Sequence, residues 1–398
     1  MGAIAMERHL IVLTSVVGYF AAACSGSSEE APTAAEASAL GHVAALPAVV
    51  PNLTAEPTSS GSTVPTTGSG QGDVNPYGVA FVPAGFPAGG LLHAGDVVVA
   101  NFNDMTNAQG TGTTIVRVNA NADPSLFFTS ALPGLSTALG VLEAGFVVVG
   151  NLPSTGTGDQ RGMCTPGPNG EEQGVGQGAL QIIDRQGKLV KTLTDARLLD
   201  GPWDLTVAEE HGRSLVFVAN ALSGAVTRLE LRASQHAVTL ESAQQIASGY
   251  AHRCDPAAFV VGPTGVILDP KTDVLYVASA GDNAIFAIDD ASTRHADAGR
   301  GHLIVHDDTH LHGPLGLALA PNGDLVSAQG DAVNPNPDPN GQSEIEEFTR
   351  HGTFVSQFSV EPATAGAAFG LAVEAHDRGF RFAAVDDAQN TLDLWEFH

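Results

Sequence analysis

Positive charge is scarce in this chain: 17 Lys and Arg stand against 43 Asp and Glu, a formal net charge of −26. Nucleic-acid binding rests on clustered cations, so that class of function is excluded. The acidity reads as a solubility feature, with acidic turns open to a hard cation. Charged residues of both signs make up only 15% of 398, whereas Gly totals 46 and Pro 23. That balance excludes a helical protein and predicts many short strands joined by tight turns. There is no GxSxG elbow, Gly-Lys-Ser/Thr phosphate loop, HExxH or haem-binding CxxCH, so the chemistry that each of these carries has no sequence support here. No apolar run is long enough to span a bilayer comfortably. The longest, Leu10–Ala23, follows Arg8 and ends in small residues, which is the pattern of a secretory signal.

The run ends Ala21-Ala-Ala-Cys24 and is followed by Ser25-Gly-Ser-Ser-Glu-Glu30. It resembles a bacterial lipoprotein signal, in which the Cys after the small residues becomes the lipid-modified N-terminus; Ala21 stands where that pattern usually has Leu. The resemblance implies a signal peptide over 1–23, lipidation of Cys24, and a membrane attachment through lipid alone. Ser25 does not match the usual inner-membrane retention signal, so an outer-membrane, surface or periplasmic location is expected. Residues 24–74, rich in Ala, Ser, Thr, Pro and Gly, read as a flexible tether.

From residue 75 onward one phrase recurs: a turn closed by Gly or Asp, two apolar strands, then an Asn- or Asp-bearing turn. Its anchors are Gly78, Gly140, Asp204, Gly265, Gly316 and Gly370, spaced by 62, 64, 61, 51 and 54 residues. Asn75-Pro-Tyr-Gly78 leads to Val97–Ala100, and Gly201-Pro-Trp-Asp204 leads to Leu215–Ala219. Further strands such as Thr114–Val118 and weaker outer ones such as Leu126–Thr129 bring each unit to four antiparallel strands. A short sheet with two exposed edges cannot bury its faces alone, so radial packing is the stable solution. The expected fold is all-β: a six-bladed β-propeller over 75–398. The last unit supplies only three strands, so an N-terminal "velcro" strand must close the ring, and the apolar segment 42–50 is the candidate.

Two cysteines remain after Cys24. Cys164 lies in the long loop between the second and third strands of blade two, and Cys254 in the linker into blade four. Both fall on the same face of a propeller, in a compartment where disulfides persist, which favours a bond between them. Cys–Cys metal binding is the weaker reading, because neither has a second Cys or His at ligand spacing.

The Pro-x-Gly-apolar starts and the unit Leu275-Tyr-Val-Ala-Ser-Ala-Gly-Asp-Asn-Ala-Ile285 resemble NHL repeats. Asn101–Val116, Gly201-Pro-Trp-Asp204 and Val385-Asp-Asp-Ala-Gln-Asn-Thr-Leu392 resemble a group of exported bacterial NHL-like propellers, largely without assigned function. In such a fold the turns feeding the first strands and the loops between second and third strands ring the channel mouth. The expected ligand groups there are Tyr77, Asn101, Asn151, Trp203, Asp204, Asn220, His312 and Asp386. Tyr77 and Trp203 read equally as stacking platforms or as plugs. Asn101, Asn151, Asn220 and Asp386 are candidate Ca²⁺ ligands, although Asn and Asp are also ordinary turn residues. His310 and His312, in His306-Asp-Asp-Thr-His-Leu-His312, are the other metal candidates. The leading expectation is a monomeric, lipid-anchored binding or scaffolding module for a small molecule or envelope protein. The alternative is a divalent-metal-dependent propeller enzyme, a lactonase-like hydrolase or a lyase.

Overall fold

The computed structural model describes residues 46–398 other than 169–170, 211, 331, 337–343, 363, 365 and 377–378. The signal segment, Cys24 and residues 42–45 lie outside the described residues. Six four-stranded antiparallel sheets follow one another along the chain. Blade one is Val74–Phe81, Val97–Asn103, Thr114–Val118 and Pro124–Thr129. Blade two is Leu135–Leu142, Phe146–Asn151, Ala179–Asp184 and Leu189–Leu193. Blade three is Pro202–Glu210, Arg213–Asn220, Ala225–Ser234 and Ala237–Ser248. Blade four is Pro263–Asp269, Val274–Ser279, Ala284–Ile288 and His302–Val305. Blade five is Pro314–Leu319, Leu325–Gln329, Ile345–Phe348 and Phe354–Phe358. Blade six is Ala368–His376, Gly379–Asp386 and Thr391–Phe397, with Ser59–Ser62 as its fourth strand.

The first strands of successive blades touch in a ring, blade six returning to blade one. Hydrophobic clusters fill all six gaps between neighbouring blades. Between blades three and four, for example, Phe217 and Leu215 pack on Val266, Val277 and Phe286. Burial on both faces is why strands such as Val97–Asn103 and Phe146–Asn151 are inaccessible along their whole length. Each large side chain so buried stabilises by roughly 1.5–3 kcal/mol.

The recurring anchor has a structural cause. In every blade the first strand slips register against the second at this point, a bulge that brings the backbone close to the next blade. A Cβ at Gly370 would lie 1.9 Å from the Tyr77 carbonyl oxygen, and one at Gly316 2.2 Å from that of Phe369. Glycine is therefore required at both. Blade three carries Asp204 instead, and its carboxylate reaches across to accept the Val266 N–H of blade four at 2.9 Å.

The strand that completes blade six is Ser59–Ser62, paired with Thr391–Leu394, and not the 42–50 segment. Leu46–Val49 form no strand and Val50–Asn52 form a 3-10 turn containing Pro51. Val49 and Val50 give their N–H groups to the buried Glu347 carboxylate, at 3.0 and 2.7 Å, and bury their side chains between blades five and six. At its one buried position the Ser59–Ser62 strand has no room for a side chain: a Cβ at Gly61 would lie 2.5 Å from the Ala122 carbonyl oxygen. The expected tether accordingly ends earlier than residue 74, since the chain from Val49 is already docked on the blades.

Candidate functional site

One face of the propeller is covered by inserted loops. The blade-two loop between Asn151 and Ala179 is joined to the hairpin Arg253–Asp255/Phe259–Val261 by the expected Cys164–Cys254 disulfide, with 5.1 Å between Cα atoms. The hairpin leans across the mouth, where its Ala257 carbonyl accepts from Gln109 Nε2 at 2.8 Å. Phe259, in the left-handed region at φ +65°, is buried edge-on against Phe102. For a bulky side chain that conformation is costly, and the surrounding packing holds it in place.

Beneath these loops lies an aromatic stack. Tyr77 is sandwiched between Phe369 and Phe102, with ring centroids 4.3 and 4.5 Å away, and Trp203 meets Tyr77 and Phe102 edge-on. Both cysteines pack in the same cluster. With both faces covered, Tyr77 is a plug and not a stacking platform, and burial raises its hydroxyl pKa.

A cavity of about 230 Å³ opens beside this stack. Blades one and six line it with Asn75, Asn103, Asn107, Gln109 and Asp387. Opposite them is an apolar wall that includes Ala257, Val260, Val261, Leu315 and Ala332. Four cavity-lining side chains carry a buried polar atom without a hydrogen-bond partner: Asn75 Oδ1, Asn103 Oδ1, Gln109 Oε1 and Trp203 Nε1. Asp387 is pushed up to about 7 by burial, aided by the Asp386 and Glu344 carboxylates. Buried polar atoms are nearly always paired, and leaving one unpaired costs about 1–3 kcal/mol. Four residues lining one cavity carry such an atom, which makes this cavity the candidate site.

Of the expected mouth residues, Tyr77 and Trp203 line this cavity. Asp204 instead faces the central channel, a space of about 360 Å³ lined by the first strands of all six blades. There burial pushes its carboxyl up to about 8. Three asparagines at or near the ends of second strands are stitches. Asn151 donates to the Pro133 carbonyl and accepts the Ala179 N–H. Asn220 donates to the Leu198 carbonyl and accepts the Asp200 N–H. Asn101 donates to the Thr63 carbonyl and to Thr114 Oγ1. Each ties its strand to the segment feeding its own blade, a task that needs a donor on a short side chain.

Asp386 closes its hairpin by accepting the Gln389 N–H, which is turn chemistry. His312 Nδ1 lies 2.6 Å from the Asn334 carbonyl oxygen, and His310 pairs with Asp307 and stacks on Phe354. The oxygens of Asn151 and Asn220 are committed to backbone N–H groups, so the four proposed Ca²⁺ ligands do not form an open donor set. Among the described residues no three His, Cys, Asp or Glu side chains are arranged to hold a metal ion.

Sequence reasoning missed Asn75, Asn103 and Gln109, and read the Asp386-Asp387 pair as turn chemistry. Asp387 was separable in principle: its neighbour Asp386 is paired within the strand ladder, opposite Thr391, which leaves the next residue in the turn at the mouth.

No family model matches the chain, and no curated protein matches it. Solved structures of similar shape include virginiamycin B lyase from Staphylococcus aureus, at 15% identity and a TM-score of 0.44, covering 85% of this chain and 99% of that one. Another is the calcium-binding protein regucalcin from Agrobacterium tumefaciens, at 14% identity and a TM-score of 0.44, covering 81% and 84%. A third is the Malassezia sympodialis allergen Mala s 1, at 15% identity and a TM-score of 0.47, covering 76% and 91%.

Proposed function

We propose that this chain is an exported, lipid-anchored NHL-like propeller that binds a small ligand in the cavity at its channel mouth. One observation carries the reading: four residues that line a single cavity beside an apolar wall carry a buried, unpartnered polar atom, three amide oxygens and an indole N–H. A fold keeps such atoms at a cost in stability, and a ligand that pairs them recovers it. The disulfide supports export, because such bonds persist in oxidising compartments. It also fixes the loops that roof the cavity, so the site is preorganised and binding orders little further chain.

The test is a thermal-shift screen of small molecules on the full-length chain, with each hit repeated on Asn103→Leu and Gln109→Leu. Hits should raise the melting temperature of the parent and lose most of that effect in the variants. Hits that act equally on parent and variants, or a screen with none, would sink the reading. Lipid attachment is checked separately by radiolabelled palmitate, which should enter the parent chain and not Cys24→Ala.

A further inference from the structure

The mouth cavity has two chemically different sides, and three of the four unpartnered polar atoms of its lining residues are acceptors. Asn103 commits its amide nitrogen to Asn107 Oδ1 at 2.7 Å, and Gln109 commits its own to the Ala257 carbonyl at 2.8 Å. Neither amide can be turned over without losing that bond, so the oxygens are the atoms left free. Asn75 Oδ1 joins them, and the Asp387 carboxyl, which the backbone N–H groups of Asp387 and Ala388 approach, lines the same cavity. A ligand that satisfies this group has to bring N–H or O–H donors.

Charge decides between a neutral donor and a cation. Among the described residues no Lys or Arg lines the cavity, while Asp386 and Glu344 add negative potential at Asp387. A cation relieves that crowding, and a neutral polyol does not. A bare metal ion would seek six to eight oxygens and leave the alanine, valine and leucine wall unused.

Building on the proposed ligand-binding role of the mouth, we infer that the ligand is an amphipathic organic amine. Its ammonium group is held by Asn75, Asn103, Gln109 and Asp387, and its apolar body lies against the wall formed by Ala257, Val260, Val261 and Leu315. The three hydrogens of an ammonium group match the three unpartnered amide oxygens, and Asp387 supplies the counter-charge. The Trp203 indole N–H remains for an acceptor elsewhere on the ligand.

The probes are phenethylammonium and its uncharged counterpart 2-phenylethanol, titrated calorimetrically into the full-length chain at pH 7.5, with CaCl₂ as a third titrant. The ammonium is expected to bind saturably and at least about tenfold more tightly than the alcohol, with about a tenfold loss in Asp387→Asn. The comparison of the two probes on the parent chain needs no variant, so it stands even if Asp387→Asn folds poorly. Equal binding of amine and alcohol overturns the inference and leaves the mouth reading intact, provided Gln109→Leu weakens both. Displacement of the amine by Ca²⁺ at equimolar concentration also overturns it, as does a lack of amine binding. In that last case the broader screen decides separately whether the mouth binds anything.

Discussion

Asp204 stands where five blades have glycine, and replacing it with Asn should reshape the pH dependence of stability. Its carboxyl is largely buried at the wall of the central channel and its only lowering influences are backbone N–H groups, so burial pushes it from an ordinary 3.8 up to about 8. The folded chain therefore keeps a proton that the unfolded chain has released. The contribution of that proton to stability is complete below about pH 4 and disappears as pH rises through 8. Integrated between pH 5 and pH 9, the loss is about 4 kcal/mol. Asn is isosteric with the protonated acid, can still accept the Val266 N–H, and does not titrate. For a unit of about 350 residues, 4 kcal/mol corresponds to about 5 °C in melting temperature. The assay is thermal unfolding of parent and Asp204→Asn at both pH values, at one scan rate. Other raised carboxyls, Glu344 and Asp387 among them, titrate in both proteins and cancel in the double difference. Asp204→Asn should gain about 5 °C on the parent in going from pH 5 to pH 9. Parallel profiles, within a degree, would refute the assignment of a buried proton to Asp204.

Glu347→Ala leaves the Val49 and Val50 N–H groups without their acceptor and should cost about 2–4 kcal/mol. Limited proteolysis should then cut before Ser59 at a rate well above that of the parent, and an unchanged cleavage pattern would show that the N-terminal turn is held by its side chains alone. Non-reducing peptide mapping should recover Cys164 and Cys254 in one linked peptide. Replacing both by Ser should lower stability by up to about 4–5 kcal/mol on the chain-entropy estimate for a 90-residue separation. It should also weaken every mouth ligand, since the Gln109–Ala257 contact across the cavity depends on the pinned hairpin.

The blades were legible in the sequence and the cavity was not, and the difference has a physical origin. A blade is a repeated solution to a repeated problem. Gly316 and Gly370 recur because their inner strands pass close to the next blade, and Asn101, Asn151 and Asn220 recur because each stitches its second strand to the segment feeding that blade. Periodicity therefore reports structural need, and reading its polar members as ligands assigned a chemical role to stitches. The strand Ser59–Ser62 escaped notice for the converse reason. Its one buried position, Gly61, has no room for a side chain and its serines are exposed or half-exposed, so its hydrophobic signal is nil.

A ligand cavity beside a pseudo-symmetry axis is under the opposite constraint. Its contents lie near every blade at once, so only departures from the repeat can give it a polar side and an apolar side. The residues that define this cavity are such departures: past the stitched Asn101, Asn103 ends its strand and Gln109 lies in the loop that follows, Asp387 lies one place beyond the paired Asp386, and the 253–261 hairpin is an insertion in the segment leading into blade four. The position of Trp203 makes the same point. It occupies the recurring slot, yet it is the indole N–H of this one copy that remains unpaired in the cavity. In a propeller the repeat locates the face on which function sits, and the breaks in the repeat carry the chemistry.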